Sequence, residues 1–497
     1  MRDDQITMES IKSAIVIGSG IGGIATAGLL AKKGYSVSIF EKNEQLGGRV
    51  SVFEAEDFRF DMGPSWYLMP DIFEHFFALM GERVEDHLTL KRLDPSYRIF
   101  FKDEDKQVDL YSDLDRDRAT FEQLEPGSSA KLQTYLQRAE EAYAISKRSF
   151  MYKNYDALGD LFTWEAIKNG RRLSVFTNMH DYICRFFKTD KVQKILEYQL
   201  VFLGSSPYDT PALYSIMNHI DFKMGVYYPQ GGIYEIVKAL VNIAKKHGAT
   251  FQVNAPVERI LVEHGQAVGV QLKNGEEIRA DIVISNADIH YTDTQLLPSS
   301  VRQYTEAYWK SRVLAPSALI LYLGIRGRIP SLTHHNLLFS KDWKRNFAEI
   351  FDQSQWPTDP SMYVCAPSVT DPTVAPPDTE NLFILVPIPS GLEYTQIDLD
   401  RETEKVLSTL GKTMNIPELK QRILYKKTFC VKDFAERYHS FQGTALGLAH
   451  TLRQTATFRP NNINPKVKNF YYVGGNTNPG IGMPICLISA ELVLKRL

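Results

Sequence analysis

Ala14-Ile-Val-Ile17-Gly18-Ser-Gly20-Ile-Gly22-Gly23, a helical run to Lys33, then Gly34 and Ser36-Val-Ser-Ile-Phe40-Glu41 decide the reading of this chain. Ala14 to Ile17 is a short β-branched run suited to a buried strand, Ile21 to Lys33 reads as helix, Gly34 stops it, and Ser36 to Phe40 is a second strand. The unit is βαβ. Gly18, Gly20 and Gly23 give the G-x-G-x-x-G spacing between strand and helix. Gly18 permits the tight turn, Gly20 lets backbone approach a pyrophosphate, and Gly23 lets helix pack on strand. Glu41, ending the second strand, can accept hydrogen bonds from a ribose diol and would repel a 2′-phosphate. Gly18, Gly20, Ile21, Gly22, Gly23, Glu41 and Lys42 are therefore candidates for a dinucleotide site.

Working outward, 497 residues imply two domains or one interrupted domain. The formal charge of -2 gives no global preference for nucleic acid, and 44% hydrophobic with 11% aromatic residues excludes general disorder and allows a greasy cavity. Cys184, Cys365, Cys430 and Cys486 lie far apart, without a C-x-x-C pair, which fits a reducing, cytoplasmic setting better than a disulfide framework. The N-terminus lacks a basic segment followed by an apolar one, and no apolar run approaches the roughly 20 residues of a membrane span. His334-His335 reads as a solvated loop rather than a metal site, and no metal is expected.

A second patterned region starts at Tyr228-Pro-Gln-Gly-Gly232. Ile233, Ile236, Val237, Leu240, Val241 and Ala244 mark one buried helix face. Val268, Val270 and Leu272 alternate up to Asn274-Gly275, a hairpin turn, and Asp281 to Ser285 reads as a strand buried on both faces. Residues 90–225 are aromatic and rich in helix formers, with little clean strand alternation. Apolar strands and Pro-rich loops fill 300–425. Asn469 to Leu497 reads as strand, glycine-rich turn and helix, and the helix start would present positive partial charge to a bound group.

Leu46-Gly47-Gly48-Arg49, Asp61-Met-Gly63-Pro64-Ser65 and the C-terminal Gly474-Gly475 together resemble the FAD-binding frame of amine oxidases and carotenoid desaturases. The block Val473-Gly474-Gly475-Asn476-Thr477-Asn478-Pro479-Gly480-Ile481-Gly482-Met483 resembles the signature of bacterial-type carotenoid desaturases, and the other motifs occur in that family's order along the chain. Asn476 and Asn478 depart from the family's usual residues. The resemblance implies an α/β fold with a Rossmann-like FAD domain and an interrupted substrate domain: residues 1–85, 225–300 and 425–497 for FAD, 86–224 and 301–424 for a substrate and membrane-facing part. It assigns FAD contacts to Gly48, Arg49, Gly63, Pro64, Ser65, Val257, Gly475, Asn476, Gly482 and Met483. Trp66, Tyr67 and Arg148 become candidates for the substrate wall.

The activity implied is FAD-dependent introduction of a C=C bond into a polyene by hydride transfer to flavin. The altered C-terminal motif leans toward 3,4-desaturation of a 1-hydroxycarotenoid, with phytoene desaturation as the alternative, because amides at 476 and 478 could bond a hydroxylated end. A flavin-free, prenyl-lipid escort protein is the reading of another class, and a flavin amine oxidase is the competitor among enzymes. Lys147 to Lys194 carries ten Lys and Arg against five Asp and Glu, interleaved with Phe150, Phe162, Trp164, Phe176, Tyr182, Phe186 and Phe187. Such a segment is either a set of solvated helices or a peripheral dock on anionic headgroups, and a water-insoluble carotenoid favours the dock.

Overall fold

The apolar run Ser13–Ile17 becomes the middle strand of a five-stranded parallel sheet. Described by the computed structural model are residues 11–102, 104, 107–157, 159 and 174–497. In this sheet the order is Phe470–Tyr472, Ile282–Ser285, Ser13–Ile17, Ser36–Phe40, Thr250–Gln252. Ala14 is in register with Val37 on one side and Ile282 on the other. The helices Ile21–Lys32, Tyr234–Lys246 and Met483–Leu494 bury Ile24, Leu30, Ile236, Leu240, Leu487 and Ala490 in one core against it. An antiparallel three-stranded sheet, Val257–Glu263, Gln266–Leu272 and Glu277–Arg279, closes the other face, with Gly275 at positive φ in its hairpin.

A second, seven-stranded sheet runs Ile423–Phe429, Ser317–Arg326, Thr379–Ile388, Met362–Cys365, His335–Phe339, Tyr97–Phe101, Val108–Leu110. It is antiparallel except between His335–Phe339 and Tyr97–Phe101. Successive side chains of Ser317–Arg326 serve two different cores, because strand side chains alternate. Ala318, Ile320 and Tyr322 join an aromatic core with Tyr135, Phe187 and Ile195 of the helical cap. Leu319, Leu321, Leu323 and Ile325 join an aliphatic core with Val406, Leu407 and Leu410 of the helix Gln396–Thr413.

Three strands fall in the stretch read as having little strand character: Leu90–Arg92, Tyr97–Phe101 and Val108–Leu110. Ile423–Phe429 crosses the expected boundary at 425 and belongs to the seven-stranded sheet. Phe162, Trp164, Arg171 and Arg172 of the basic segment lie outside the described residues.

Candidate active site

The glycine turn sits where strand order reverses, beside the carboxyl end of Ser13–Ile17, and its geometry says why glycine is needed. A Cβ on Gly23 would lie 2.2 Å from the Gly18 carbonyl oxygen. At Gly20 it would lie 2.7 Å from Asn286 Nδ2, and at Gly22 2.8 Å from Asn286 Oδ1. The Asn286 amide, just beyond the strand Ile282–Ser285, thus fills the floor of the turn and also approaches Gly474. The sequence pattern ends a strand at Ser285 and gives no sign of this place for Asn286.

Glu41 is buried at the end of its strand. Its Oε2 accepts from Ser19 N at 2.9 Å and Ser19 Oγ at 2.7 Å, and its Oε1 accepts from Asn43 N at 2.9 Å. Two carboxylate oxygens have about four acceptor positions, so Oε1 keeps one for a diol. Lys42 turns elsewhere: its Nζ donates to the Glu436 carbonyl at 3.0 Å, and burial lowers its pKa. Gly47 donates to the Ser19 carbonyl at 2.9 Å, and Gly48, at positive φ, lies against Gly20. Val257 is buried in the core formed with Ile17 and Phe40.

Beyond this turn opens a cavity of about 830 Å³. Arg49, Gly63, Pro64, Ser65, Trp66, Gly482 and Met483 line it, and so do Leu68, Ile216, Ile220, Ala318 and Ile320. Arg49 donates from Nη2 to Ser440 Oγ at 2.9 Å, while its buried Nε has no hydrogen-bond partner among the described residues. The helix Met483–Leu494 begins at the cavity wall after Gly482, whose φ of 124° suits only glycine. Asp288 is buried within reach of the Arg49 charge. Burial raises its pKa, which the Arg49 charge opposes, and its Oδ2 accepts from Asn476 Nδ2 at 3.0 Å.

Several expectations are corrected. Asn476 does not line the cavity: its Nδ2 is held by Asp288 and its Oδ1 by Leu448 N at 3.1 Å, so both ends of the amide are committed. Asn478 does line it, with a buried Nδ2 that has no hydrogen-bond partner among the described residues. Trp66 lines the cavity, whereas Tyr67 faces the other way and stacks on Phe73 with ring centroids 4.3 Å apart. Arg148 is exposed and absent from the wall, although its neighbours Ser146, Phe150 and Met151 contribute. His334 and His335 are buried rather than solvated. His335 lies opposite Cys365 in the strand register and bonds Tyr363 Oη at 2.8 Å through Nδ1. Donor atoms of His334, His335 and Cys365 lie within 4.8 Å of one another. Burial pushes the His334 pKa down to about 3 and the Cys365 thiol up to about 12, leaving both neutral near pH 7.

The cradle that Cβ atoms would fill, a buried carboxylate with an acceptor position in reserve and an unpartnered arginine Nε at the cavity fit a dinucleotide whose ring system reaches the cavity. That defines a dinucleotide-binding flavoprotein. The profile of the family described as "Flavin containing amine oxidoreductase" matches residues 21–493. The chain is 45% identical over 477 residues to a carotenoid 3,4-desaturase of Haloarcula japonica, covering 96% of each chain. It is 36% identical over 488 residues to a zeta-carotene-forming phytoene desaturase of Myxococcus xanthus, covering 97% of this chain and 93% of that one. Among solved structures, an oxidoreductase of Methanosarcina mazei has the same fold at 17% identity, with a TM-score of 0.64 over 97% of this chain and 100% of that one. The chain belongs to the flavin-containing amine oxidoreductase family and is an FAD-dependent oxidoreductase.

Proposed function

We propose that the protein introduces a C=C bond into a carotenoid taken from a membrane, and that its preferred step is 3,4-desaturation of a 1-hydroxycarotenoid of γ-carotene type. The single observation that carries this reading is the character of the cavity. At about 830 Å³ it lies in the upper part of the range for ligand sites, and its wall away from Arg49 is largely aliphatic and aromatic. An amine substrate would need a polar or anionic wall, whereas a long polyene needs only apolar surface. The relative from Haloarcula japonica, named a carotenoid 3,4-desaturase, supports the finer step. Asn478 and His450, polar members of the wall close to Gly480, are suited to a hydroxylated end group.

Bound FAD supplies the two-electron acceptor for the hydride. Gly18 to Gly23 and Glu41 would hold the adenosine diphosphate half, and Arg49 with Gly48 the phosphates and ribityl chain. Gly63, Pro64, Ser65, Gly475, Gly482 and Met483 would flank the ring. Leu68, Ile216, Ile220 and Ile320 exclude water and confine the polyene to one line of approach. The start of the helix Met483–Leu494 offers positive partial charge to the ring.

No helix among the described residues is long and apolar enough to cross a membrane. Phe176, 90% exposed, together with Leu452 and Phe458 forms an exposed apolar rim on the cavity wall. Arg185, Lys188 and Arg453 are exposed cations nearby in sequence. Their combination supports peripheral docking on anionic headgroups. The division into an FAD part and a substrate part follows the two sheets, with the last boundary moved to the C-terminal side of Phe429.

The test is to incubate the FAD-loaded protein in liposomes with phytoene or with a 1-hydroxycarotenoid and follow product absorbance. A red-shifted product from the hydroxycarotenoid is expected. Rapid turnover of phytoene with none of the hydroxylated substrate would make phytoene desaturation the function instead.

A further inference from the structure

Arg459 is the feature that neither the glycine turn nor the cavity explains. It is buried, and all its hydrogen bonds go to backbone carbonyls. Nε donates to Thr477 at 3.1 Å, Nη1 to Gln454 at 3.4 Å, and Nη2 to Leu448 at 3.2 Å and Gly475 at 2.6 Å. No carboxylate among the described residues pairs with it. Burial lowers its pKa only to about 10, so the guanidinium remains protonated. The groups that feel its charge are Tyr214, in the cavity wall, Tyr308, and Cys486, in the first turn of the helix Met483–Leu494.

A full charge out of water with only carbonyl dipoles around it is costly, and such charges persist where a counter-charge compensates them. Here two of the four carbonyls belong to the loop between Gly474 and Gly482. That loop leads into the helix start already assigned to the flavin ring. Arg49 also bears on Cys486, so two arginines flank the first turn of that helix.

We propose that Arg459 is a positioning and charge-compensating residue for the flavin, holding the Gly475–Thr477 turn in place while its buried cation stabilises the negative charge the ring acquires on two-electron reduction. The inference rests on FAD occupying the site. Reduction adds electron density at the ring, and one positive charge held in a low-dielectric wall favours that state over the oxidised one. A unit charge acting over about 10 Å at an effective dielectric of about 20 changes such an equilibrium by about tenfold to twentyfold. The helix start supplies partial charge of the same sign, and Arg459 adds a whole one.

The test uses the full-length holoprotein and the variants Arg459→Gln and Arg459→Lys. Measured are FAD content, the reduction potential of the bound flavin by equilibration with a reference dye, and the affinity for sulfite read from bleaching of the flavin absorbance. Arg459→Gln should lower the potential and weaken sulfite binding by about tenfold or more, since both depend on charge at the ring. Arg459→Lys, which keeps the charge and loses the fork of bonds, should stay near wild type at low pH and fall toward the glutamine variant as the buried amine loses its proton. Equal potentials in all three proteins overturn the proposal. So does an equal, pH-independent drop in both variants, which would make Arg459 a prop for the loop alone. If the glutamine variant does not fold, the pH course of the lysine variant decides in the same way. A wild-type protein that binds no FAD would instead overturn the flavin reading beneath the inference.

Discussion

Replacing single glycines of the turn by alanine separates what the fold demands from what the cofactor demands. A Cβ at position 23 would stand 2.2 Å from the Gly18 carbonyl oxygen, about 1 Å inside an ordinary contact, and that partner is turn backbone held between packed strand and helix. Overpacking costs about 1–3 kcal/mol, with rigid partners at the upper end, while the better helix propensity of alanine returns about 1 kcal/mol. Gly23→Ala should therefore destabilise the protein by about 2 kcal/mol and expel FAD. At position 20 the obstacle is the Asn286 amide, 2.7 Å away, which is a side chain and removable. Gly20→Ala should thus be rescued in stability by Asn286→Ala, whereas Gly23→Ala should not. Thermal unfolding and FAD content of the two singles, Asn286→Ala and the two doubles form the assay. If Gly23→Ala keeps wild-type stability and full FAD occupancy, or Asn286→Ala rescues both glycine variants equally, the steric account is wrong.

Glu41→Arg should greatly weaken FAD retention, because a cation without lone pairs replaces the acceptor of Ser19 and of the ribose; undiminished flavin content in a folded variant removes the assignment. Cosedimentation with anionic liposomes should fall with added salt and on neutralising Arg185, Lys188 and Arg453, since screening shortens the reach of exposed charges to about 8 Å; unchanged binding at low salt relocates the docking face. Asp117, its pKa raised to about 7 by burial, is neutral in the fold at low pH, so its contribution to stability declines as pH rises from the unfolded value near 3.8 through 7. Asp117→Asn should remove that decline, seen as a flatter melting temperature between pH 5 and 8. On the strand Ser317–Arg326, Leu321→Ala should cost about 2–5 kcal/mol without changing substrate preference, while Ala318→Phe should reduce turnover at full FAD occupancy because it fills the cavity.

The βαβ unit was legible because its constraints are local. Strand, turn glycines, helix and terminal carboxylate each need a particular residue type at a fixed spacing, and no distant element can supply it. The second sheet was less legible for physical reasons that differ strand by strand. Tyr97–Phe101 is largely buried on both faces, which erases alternation. Ile423–Phe429 is an edge strand carrying Lys426 and Lys427, so it reads as a polar segment while guarding an open edge. Trp66 and Tyr67 look equivalent in sequence, yet neighbours in extended chain point to opposite sides, one to the cavity and one to the Rossmann core. His334 and His335 look solvated until tertiary contacts bring Tyr228, Trp66, Tyr97 and Tyr363 around them. Nothing near Phe458-Arg459-Pro460 distinguishes a buried cation from a surface one.

The two faces of the seven-stranded sheet acquire their separate tasks through the alternation of one strand. Odd-numbered positions from Leu319 to Ile325 are sealed against the helix Gln396–Thr413 and fix the position of the sheet. Ala318 and Ile320, on the opposite face, continue an aromatic core that stops short of closing and becomes the cavity wall. The cavity is thus the unfilled part of a core whose sheet is packed on its other side against a helix. Arg49, the Gly63–Ser65 loop and the helix start at Met483 bring the Rossmann side to the same wall. An apolar slot built on a rigid sheet and ending at a turn rich in donors suits a stiff, nonpolar substrate that must be presented to a polar ring without admitting water.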